Sequence, residues 1–312
     1  MRAPSDGEAY MLECSISILT KNEECNIGGC LSAIFSQKEV GEFEVILIDS
    51  GSTDATLQIA RGYPIRIEQI PASAFHHART RNFAASLGRG QTVVNLSGDA
   101  IPASNLWLKN LLCNFNDPAV GAVYGRQLPS PDTTAERSDT FDKIYGDSKI
   151  VKDPAHRNGL GYRFYHFSDV NSAIRRSVWE ANPYPEDLKM FEDLAIAKRI
   201  LDAGWKIIYE PGAAVYHSHR YNARQLFKRY FDIGYTLKEL DIWDAPGTRS
   251  SLFRDLQQML ARQVARFTKQ HSNGAAALGQ SFAKSAGMFL GLNQRFLPLA
   301  LKRHLSSYRA FE

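Results

Sequence analysis

Short apolar runs alternate with amphipathic stretches along the first 210 residues of this 312-residue chain. Runs rich in β-branched residues predict strands over residues 15–19, 43–49, 65–70, 92–96 and 120–124. The stretches between them predict helices over residues 24–36, 55–61, 78–87 and 104–115. Alternation of this kind is typical of an α/β fold in which helices cover both faces of a parallel sheet.

The pattern becomes purely helical after residue 222. Amphipathic stretches predict helices over residues 223–240, 251–269 and 279–306, and a break at residues 244–247 separates the first two. We therefore expect two parts: a sheet-containing domain over residues 1–222 and a helical region over residues 223–312.

The composition is that of an ordinary soluble globular protein, with 44% hydrophobic and 22% charged residues. No stretch reaches the roughly 18 uncharged apolar residues that a membrane-spanning helix needs, and the polar start of the chain lacks the apolar region of a signal peptide. The four cysteines have no C-x-x-C spacing, so neither a zinc knuckle nor a disulfide framework is indicated. We therefore expect a cytoplasmic protein.

The charge is distributed unevenly along the chain. Residues 223–312 contain 14 Lys and Arg against 6 Asp and Glu, whereas the rest contains 23 against 27. A basic tail on a mildly acidic body suggests contact with an anionic partner such as a membrane surface, and we expect no nucleic-acid partner. A solvated basic face is the alternative. The aromatic residues of the tail suit either membrane contact or a helix-packing core: Phe227, Tyr230, Phe231, Trp243, Phe253, Phe267, Phe289 and Phe296.

The first candidate site follows the strand predicted over residues 43–49, where the chain reads Asp49-Ser50-Gly51-Ser52-Thr53-Asp54. An acidic residue at the carboxyl end of a buried strand lies where open α/β sheets bind their ligands, and Asp54 can cap the following helix. A buried carboxylate in a loop suits the edge of a base or a ribose better than a phosphate. Neither G-x-G-x-x-G nor G-x-x-x-x-G-K-[ST] is present, so the common dinucleotide and P-loop sites lack their residues.

The second candidate site, Ser97-Gly98-Asp99-Ala100-Ile101-Pro102, again places a lone acidic residue after a strand. One such residue is often only a helix cap. Two in one sheet, Asp49 and Asp99, favour a shared crevice, because the carboxyl ends of parallel strands lie at the same edge. Their expected ligands are a nucleoside and a divalent cation on its diphosphate, since hard cations prefer oxygen ligands.

Three further stretches carry candidate groups. Arg81, near the start of a predicted helix, could hold a diphosphate oxygen bidentately, or be solvated. Glu192 and Asp193 form an acidic pair at a helix start, where one carboxylate could act as a general base or both could merely cap the helix. His217 and His219 form an H-x-H, which in a strand would present both rings on one face, as metal sites do. A loop H-x-H without a ligand role is the alternative.

Together these motifs resemble those of family 2 inverting glycosyltransferases of the GT-A fold, and more narrowly those of bacterial rhamnosyltransferases. The resemblance covers about residues 15–221. It rests on residues 17–23, the Asp49 turn, residues 97–100, the Glu192–Asp193 pair and His217, which occur in the family's order.

Two stretches carry the narrower resemblance to the rhamnosyltransferases. Residues 75–82 resemble the stretch Phe-x-His-Gly-x-x-Arg-Asn, with Ala78 in the glycine position, and residues 98–102 resemble Gln-Asp-Ala-Ile-Pro. One departure concerns the metal motif. The Asp-x-Asp common in the family is reduced here to Asp99, which stands between Gly98 and Ala100.

The resemblance implies roles for the residues of the donor pocket. Asp49 would hydrogen-bond the pyrimidine base of a nucleotide-sugar, and Thr20 and Glu23 would line the nucleoside pocket. Asp99 would bind a divalent cation, Mg²⁺ or Mn²⁺, on the donor diphosphate. His217 would be a further contact to the metal or the diphosphate.

The resemblance also implies roles on the acceptor side. Asp193 would be the base that deprotonates the acceptor hydroxyl, and we expect Glu192 and Asn171 to bind the acceptor or the transferred sugar. Attack from the face opposite the leaving group needs only one base, and the sequence identifies no second carboxylate as a nucleophile. A single displacement with inversion therefore fits these residues.

The implied activity is that of an inverting glycosyltransferase that moves L-rhamnose from dTDP-L-rhamnose to a hydroxyl of a growing surface glycan. The acceptor would be a glycan or a lipid-linked glycan, and the enzyme could lie peripherally at the inner face of the cytoplasmic membrane. Three alternatives stay open: another donor such as a UDP-sugar, a sugar nucleotidylyltransferase, and a non-catalytic protein with this fold.

Overall fold

The computed structural model describes residues 12–130, 145–157, 160–188, 190–217, 219, 221–251, 254, 257, 261 and 274–307. The helix predicted over residues 251–269 lies almost entirely outside these residues, as do Phe253 and Phe267. The chain divides into two compact units. The first contains Met1–Asp153, Phe167–Tyr184 and Arg199–Ser218, and the second contains Pro154–His166, Pro185–Lys198 and His219–Glu312. A domain boundary after residue 222 stays a prediction.

The first unit is built on one sheet. Its described strands are β1 (Cys14–Thr20), β2 (Phe43–Asp49), β3 (Arg66–Gln69), β4 (Thr92–Ser97), β5 (Ile101–Pro102), β6 (Val120–Leu128), β7 (Ile150–Lys152), β8 (Asn171–Arg175) and β9 (Lys206–Tyr216). Their order is β3-β2-β1-β4-β8-β6-β9-β5, and β7 also pairs with β9. The predicted strands of the first 124 residues are therefore all present.

Most of these strands run in one direction. The reversed strands are β5, β7 and β8, and the other six are parallel in direction. The prediction of an α/β fold with a mostly parallel sheet is confirmed. Thr20 pairs with Asp49, and Leu19 pairs with Ser97. The strands β1, β2 and β4 therefore end at one edge of the sheet, which we call the carboxyl edge.

Helices cover both faces of the first strands. The described helices up to residue 202 are α1 (Ile27–Phe35), α2 (Thr56–Ala60), α3 (His77–Leu87), α4 (Trp107–Leu112), α5 (Arg176–Ala181) and α6 (Glu192–Asp202), of which α6 begins in the second unit and ends in the first. Leu47 of β2 lies in a core cluster that includes Leu31 of α1, whereas Ile46 and Ile48 form a second cluster with Ala84 of α3. Because successive side chains point to opposite faces, a strand buried on both sides is apolar on both, as β2 is from Val45 to Ile48.

The C-terminal part of the second unit is helical. It contains α7 (Ala223–Glu239), α8 (Gly274–Leu292) and α9 (Leu299–Leu305). Asn222 and Gln225 form a capping box that starts α7. The single helix predicted over residues 279–306 is wrong: α8 ends at Leu292, and α9 begins after Pro298, which has no N–H to continue a helix. Within the described ranges, no helix combines the length and apolar character needed to cross a membrane.

Candidate active site

The Asp49 carboxylate is buried and is held by its own turn. It accepts hydrogen bonds from the backbone N–H groups of Gly51 and Ser52, each at 3.0 Å, and from the Ser52 hydroxyl. Gly51 has a φ of 88°, a left-handed conformation that favours glycine and lets the turn close around the carboxylate. Asp54 accepts a hydrogen bond from the Thr56 N–H at 3.0 Å, but the N-cap position of α2 is Ala55, so Asp54 stands one residue before the cap that was predicted for it.

The loop after β1 is fastened to this turn. Asn22 Oδ1 accepts from the Thr53 N–H at 2.8 Å, and the Asn22 N–H donates to Ser52 Oγ at 2.9 Å. The Glu23 N–H donates to Thr56 Oγ1 at 2.7 Å. The loops that follow β1 and β2 therefore form one hydrogen-bonded assembly at the carboxyl edge, and this fixes the position of Thr20, Glu23 and Asp49 together.

At this edge, Thr20 carries a hydroxyl group to which a ligand could supply a hydrogen-bond partner. It is 5% exposed, and its hydroxyl has no hydrogen-bond partner in the part of the chain that the structure describes. Gly98 packs against this side chain, because a Cβ at position 98 would lie 2.8 Å from Thr20 Oγ1. A side chain at position 98 would therefore require the Thr20 side chain to move.

His217 faces Asp99, with His217 Nε2 3.4 Å from Asp99 Oδ2. Gln127 orients the ring. The Gln127 amide donates to Tyr145 Oη at 2.7 Å and to Ser168 Oγ at 2.9 Å, so its carbonyl oxygen faces His217 Nδ1, at 2.9 Å. Nδ1 therefore carries a proton and donates it to Gln127, and the lone pair of a neutral ring lies at Nε2, toward Asp99.

Glu23 adds a third ionisable group to this corner. Its pKa is raised, mainly by burial, and the negative charges of Asp99 and Asp54 raise it further; the hydrogen bond from Asn26 and the proximity of His217 act in the opposite direction. The corner thus concentrates carboxylate charge around a half-buried side chain. A bound cation would relieve this repulsion.

The donor set at Asp99 and His217 fits a divalent cation. A carboxylate oxygen and an imidazole nitrogen approach each other, and the other ring nitrogen is engaged by Gln127, as is usual for a histidine that binds a metal. Oxygen ligands suit Mg²⁺ and Mn²⁺, and the imidazole favours the softer of the two. His217 follows the end of β9 at Tyr216, so the H-x-H does not lie within a strand.

Arg81 has a partner inside the protein. It is buried on α3, and its Nε lies 3.4 Å from Asp169 Oδ2. The other oxygen of Asp169 accepts from Ser172 Oγ at 2.6 Å. Arg81 is therefore engaged with a buried carboxylate inside the protein, and its predicted diphosphate role stays a prediction.

Asn171 is saturated by contacts within the first unit. It is buried, its Oδ1 accepts from Trp107 Nε1 at 2.8 Å, and its Nδ2 donates to the Ala213 carbonyl at 2.7 Å. These bonds join β8 to α4 and β9. The predicted contact with the acceptor or the sugar is therefore not supported, because the amide faces the protein interior.

Glu192 and Asp193 belong to the second unit and start α6. Glu192 is buried, Asp193 is half-buried, and the Leu194 N–H donates to Asp193 Oδ1 at 2.8 Å. Phe191 before them has a φ of 54°, which is rare for an aromatic residue and needs surrounding contacts to fix it. Phe191 packs against Met190 and Phe231. The acidic helix start is confirmed, and its catalytic role stays a prediction.

The motifs did not reveal Gln127 or Asp169. Gln127 lies inside β6 with no motif around it, and its role comes from its bond to His217, 90 residues away in sequence. Asp169 lies in residues 167–175, and the polar character of this stretch was the feature of the sequence that could have indicated it.

The chain matches the sequence model of glycosyl transferase family 2 over residues 15–181. It is 37% identical over 276 residues to the O-antigen chain rhamnosyltransferase WbaN of Salmonella anatum, with 86% of this chain and 85% of that protein covered. It is 34% identical over 284 residues to the O-antigen chain rhamnosyltransferase RfbN of Salmonella typhimurium, with 88% of each covered. These relatives confirm the predicted likeness to rhamnosyltransferases.

Solved structures share the fold. The mannosyltransferase PcManGT of Pyrobaculum calidifontis, in complex with GDP-Man and Mn²⁺, has a TM-score of 0.59 at 18% identity, with 97% of this chain and 78% of that chain covered. S. aureus TarS 1-349 in complex with UDP-GlcNAc has a TM-score of 0.57 at 17% identity, with 96% and 88% covered. The GT-A fold is confirmed.

The family match spans more than half of the chain, and the two rhamnosyltransferases match most of it. This argues against a sugar nucleotidylyltransferase. The protein is a glycosyltransferase, and the chain belongs to glycosyl transferase family 2.

Proposed function

We propose that this protein transfers L-rhamnose from dTDP-L-rhamnose to a hydroxyl group of a growing O-antigen-type glycan, with inversion at the anomeric carbon. The observation that carries the proposal is the carboxyl edge, where Asp49 is paired with Thr20, whose hydroxyl has no hydrogen-bond partner among the described residues, and where Asp99 faces His217. The choice of sugar and acceptor is supported by WbaN and RfbN, which are rhamnosyltransferases of O-antigen chains.

The nucleoside would bind at the assembly formed by the loops after β1 and β2. The Asp49 oxygens are oriented by their turn and would accept an N–H from the pyrimidine ring with a remaining lone pair. The Thr20 hydroxyl would gain the partner that it lacks among the described residues. Glu23 would line the same pocket.

Asp99 and His217 would hold Mn²⁺ or Mg²⁺ on the donor diphosphate. His219, two residues further along the chain, is a further candidate ligand. When bound, the cation would supply positive charge for the leaving diphosphate. Gln127 would keep His217 in the tautomer whose Nε2 can bind the cation. For Arg81 we propose pairing with the buried Asp169 rather than contact with the donor.

Asp193 would act as the general base. It would accept the proton of the acceptor hydroxyl while that oxygen forms a bond to the anomeric carbon and the bond to the diphosphate breaks. Attack on the side opposite the leaving group inverts the anomeric configuration. Glu192, its neighbour at the start of α6, would bind the acceptor or the transferred sugar, and the lipid-linked acceptor would place the enzyme at the cytoplasmic face of the membrane.

A donor panel tests the sugar and the stereochemistry. Purified protein is incubated with Mn²⁺, a glycan acceptor and one of dTDP-L-rhamnose, UDP-glucose or GDP-mannose, and products are read by mass spectrometry and NMR. We expect transfer of a deoxyhexose from dTDP-L-rhamnose, with the product anomer opposite to that of the donor. Transfer from another donor alone contradicts the proposed sugar, and retained configuration contradicts the single displacement.

The variant Asp193→Asn tests the base. We expect transfer to fall by about 10³-fold while donor affinity changes by less than about twofold, because the amide keeps the shape but accepts no proton. Asp202→Asn, at the other end of α6 and exposed, is the matched control and should transfer normally. A transfer rate near normal in Asp193→Asn would assign the base elsewhere.

A further inference from the structure

We infer that the protein docks on a bilayer surface containing anionic phospholipid, through an exposed face at α8 and the segment that follows it. We call it the aromatic face, and it consists of Phe282, Phe289, Phe296, Leu299 and Leu301. The three phenylalanines are 76%, 65% and 70% exposed, which makes them the most exposed large hydrophobic side chains of the described residues. Apolar surface of this kind marks a site for a partner.

The spacing places two of the phenylalanines on one side of α8. Phe282 and Phe289 are seven residues apart on this helix, so they project from the same side. Phe296 lies in the short turn Gln294–Phe296 that follows α8, and Leu299 and Leu301 belong to α9. The five residues are therefore grouped by their exposure within residues 282–301.

The opposite side of α8 is already occupied by α7. A Cβ at Gly287 would lie 2.2 Å from the Phe227 carbonyl oxygen, and one at Gly291 would lie 2.1 Å from that of Phe231. The two backbones touch at these glycines, which leaves no space there for a side chain. The α7 contact thus uses the small residues of α8 and leaves its phenylalanines outward.

The aromatic residues of the tail divide accordingly. Phe231 forms part of the packing core of the second unit, as the core interpretation of the tail requires. Phe289 and Phe296 do not, because most of their surface is exposed. Their apolar surface needs an occupant other than α7.

The charged residues near the aromatic face indicate which kind of partner it binds. Residues 274–307 contain no Asp or Glu, and their Lys and Arg residues are Lys284, Arg295, Lys302 and Arg303. The Arg295 guanidinium lies 4.7 Å from the centroid of the Phe296 ring, so charge and apolar surface are adjacent. Glu239 and Asp232 of α7 contact this segment at Gln294 and Ser307. Exposed aromatic side chains on a segment whose own charged residues are all basic are typical of helices that lie in the interface of an anionic bilayer. This docking requires neither donor nor acceptor and is separate from the transfer reaction.

Vesicle cosedimentation of the full chain tests the inference. We expect binding to vesicles of phosphatidylglycerol and phosphatidylethanolamine, weaker binding at high salt, and little binding to phosphatidylcholine alone. The triple variant Phe282→Ser/Phe289→Ser/Phe296→Ser should bind about 100-fold more weakly. The double variant Arg295→Gln/Arg303→Gln should bind about 25-fold more weakly. Phe83→Ser, which changes a 40% exposed phenylalanine of α3, should bind as the unchanged protein does.

A tryptophan probe reports insertion without removing an aromatic side chain. Phe289→Trp should be quenched by brominated phospholipid in anionic vesicles, whereas the control Phe83→Trp should not. This variant keeps the inference testable if the triple serine variant folds poorly, which circular dichroism would show.

Three results would overturn the inference. The first is that a folded triple serine variant binds vesicles as well as the unchanged protein does. The second is that brominated phospholipid does not quench a tryptophan at position 289. The third is that the unchanged protein does not bind vesicles but forms a dimer, and that the triple variant is a monomer. In the last case a second copy of the chain covers the face. Transfer of sugar to a soluble acceptor should continue in the triple variant, which separates this inference from the proposed reaction.

Discussion

The carboxyl edge of the first unit and the helices of the second unit use polar and apolar groups in opposite ways. At the carboxyl edge, buried polar side chains orient one another, as Gln127 orients His217 and Ser52 holds Asp49. In the second unit, α7 and α8 touch through glycines, and large apolar side chains face outward. The first arrangement is typical of a site that binds a polar ligand. The second is typical of a surface that binds an apolar partner.

This contrast predicts where single polar substitutions matter. At the carboxyl edge, function depends on the orientation of a few atoms, so one lost contact should reduce activity strongly. In the second unit, docking depends on the sum of apolar area and charge, so single changes should have smaller effects. Asp232 on α7 is an exception to this contrast, because it is a buried carboxylate in the helical region, where a single substitution could have a large effect.

The largest expected effect is that of Asp99→Ala. Loss of the carboxylate that faces His217 should lower kcat/KM by about 10³-fold, because the cation proposed to bind the donor diphosphate would lose a ligand. Donor affinity, measured by isothermal titration calorimetry, should no longer increase when Mn²⁺ is added. Asp202→Ala serves as the exposed control. Unchanged Mn²⁺ dependence in Asp99→Ala would remove the metal role of this residue.

Asp232→Asn has the next largest expected effect, and it acts on stability. Asp232 Oδ2 accepts the Ser307 N–H at 2.9 Å. Burial raises the pKa of Asp232 to about 6, although hydrogen bonds from Ser306 and Ser307 and the charge of Lys228 lower it. The folded protein therefore retains a proton that the unfolded chain releases, and the free energy of unfolding falls as the pH rises from about 4 to about 6.

Asparagine keeps an acceptor for Ser307 and cannot ionise. Asp232→Asn should therefore be more stable than the unchanged protein at pH 7, by up to about 3 kcal/mol, with a smaller difference near pH 4. Urea unfolding at both pH values measures this. The control is Asp244→Asn, because hydrogen bonds from Lys238 and Arg249 lower the pKa of Asp244 and its stabilisation is present at neutral pH. A loss of stability at pH 7 in Asp232→Asn would show that its charge is stabilised by its surroundings.

The strands and the positions of Asp49 and Asp99 were predictable from sequence, because an apolar run and the acidic residue that ends it are consecutive in the chain. The Gln127–His217 bond was not predictable, since it depends on how β6 pairs with β9. The pairing of Arg81 with Asp169 depends likewise on a contact between distant segments. Local patterns therefore located the site, whereas its orientation came from long-range contacts.

The helical region shows the same limit. Amphipathic spacing predicted α7 with nearly its observed bounds. It could not decide which aromatic side chains are buried, because Phe231 and Phe289 occur in similar patterns. Gly287 and Gly291 determine which aromatic side chains are buried, because they bring α8 against α7 on the side away from Phe289.

Gln127→Leu is the smallest and most specific of these tests, since it alters orientation without removing a ligand. His217 would lose the acceptor for its Nδ1 proton, and the ring could then adopt the other tautomer or rotate away from Asp99. We expect the affinity for Mn²⁺ in the presence of donor to fall by about 10–100-fold, measured by calorimetry. Tyr145→Phe is the graded control, because it removes one acceptor of the Gln127 amide and leaves Ser168 in place, so its effect should be smaller. If Gln127→Leu binds Mn²⁺ normally, the polar contacts of the first unit do not orient the site, and the contrast between the two units would be one of composition alone.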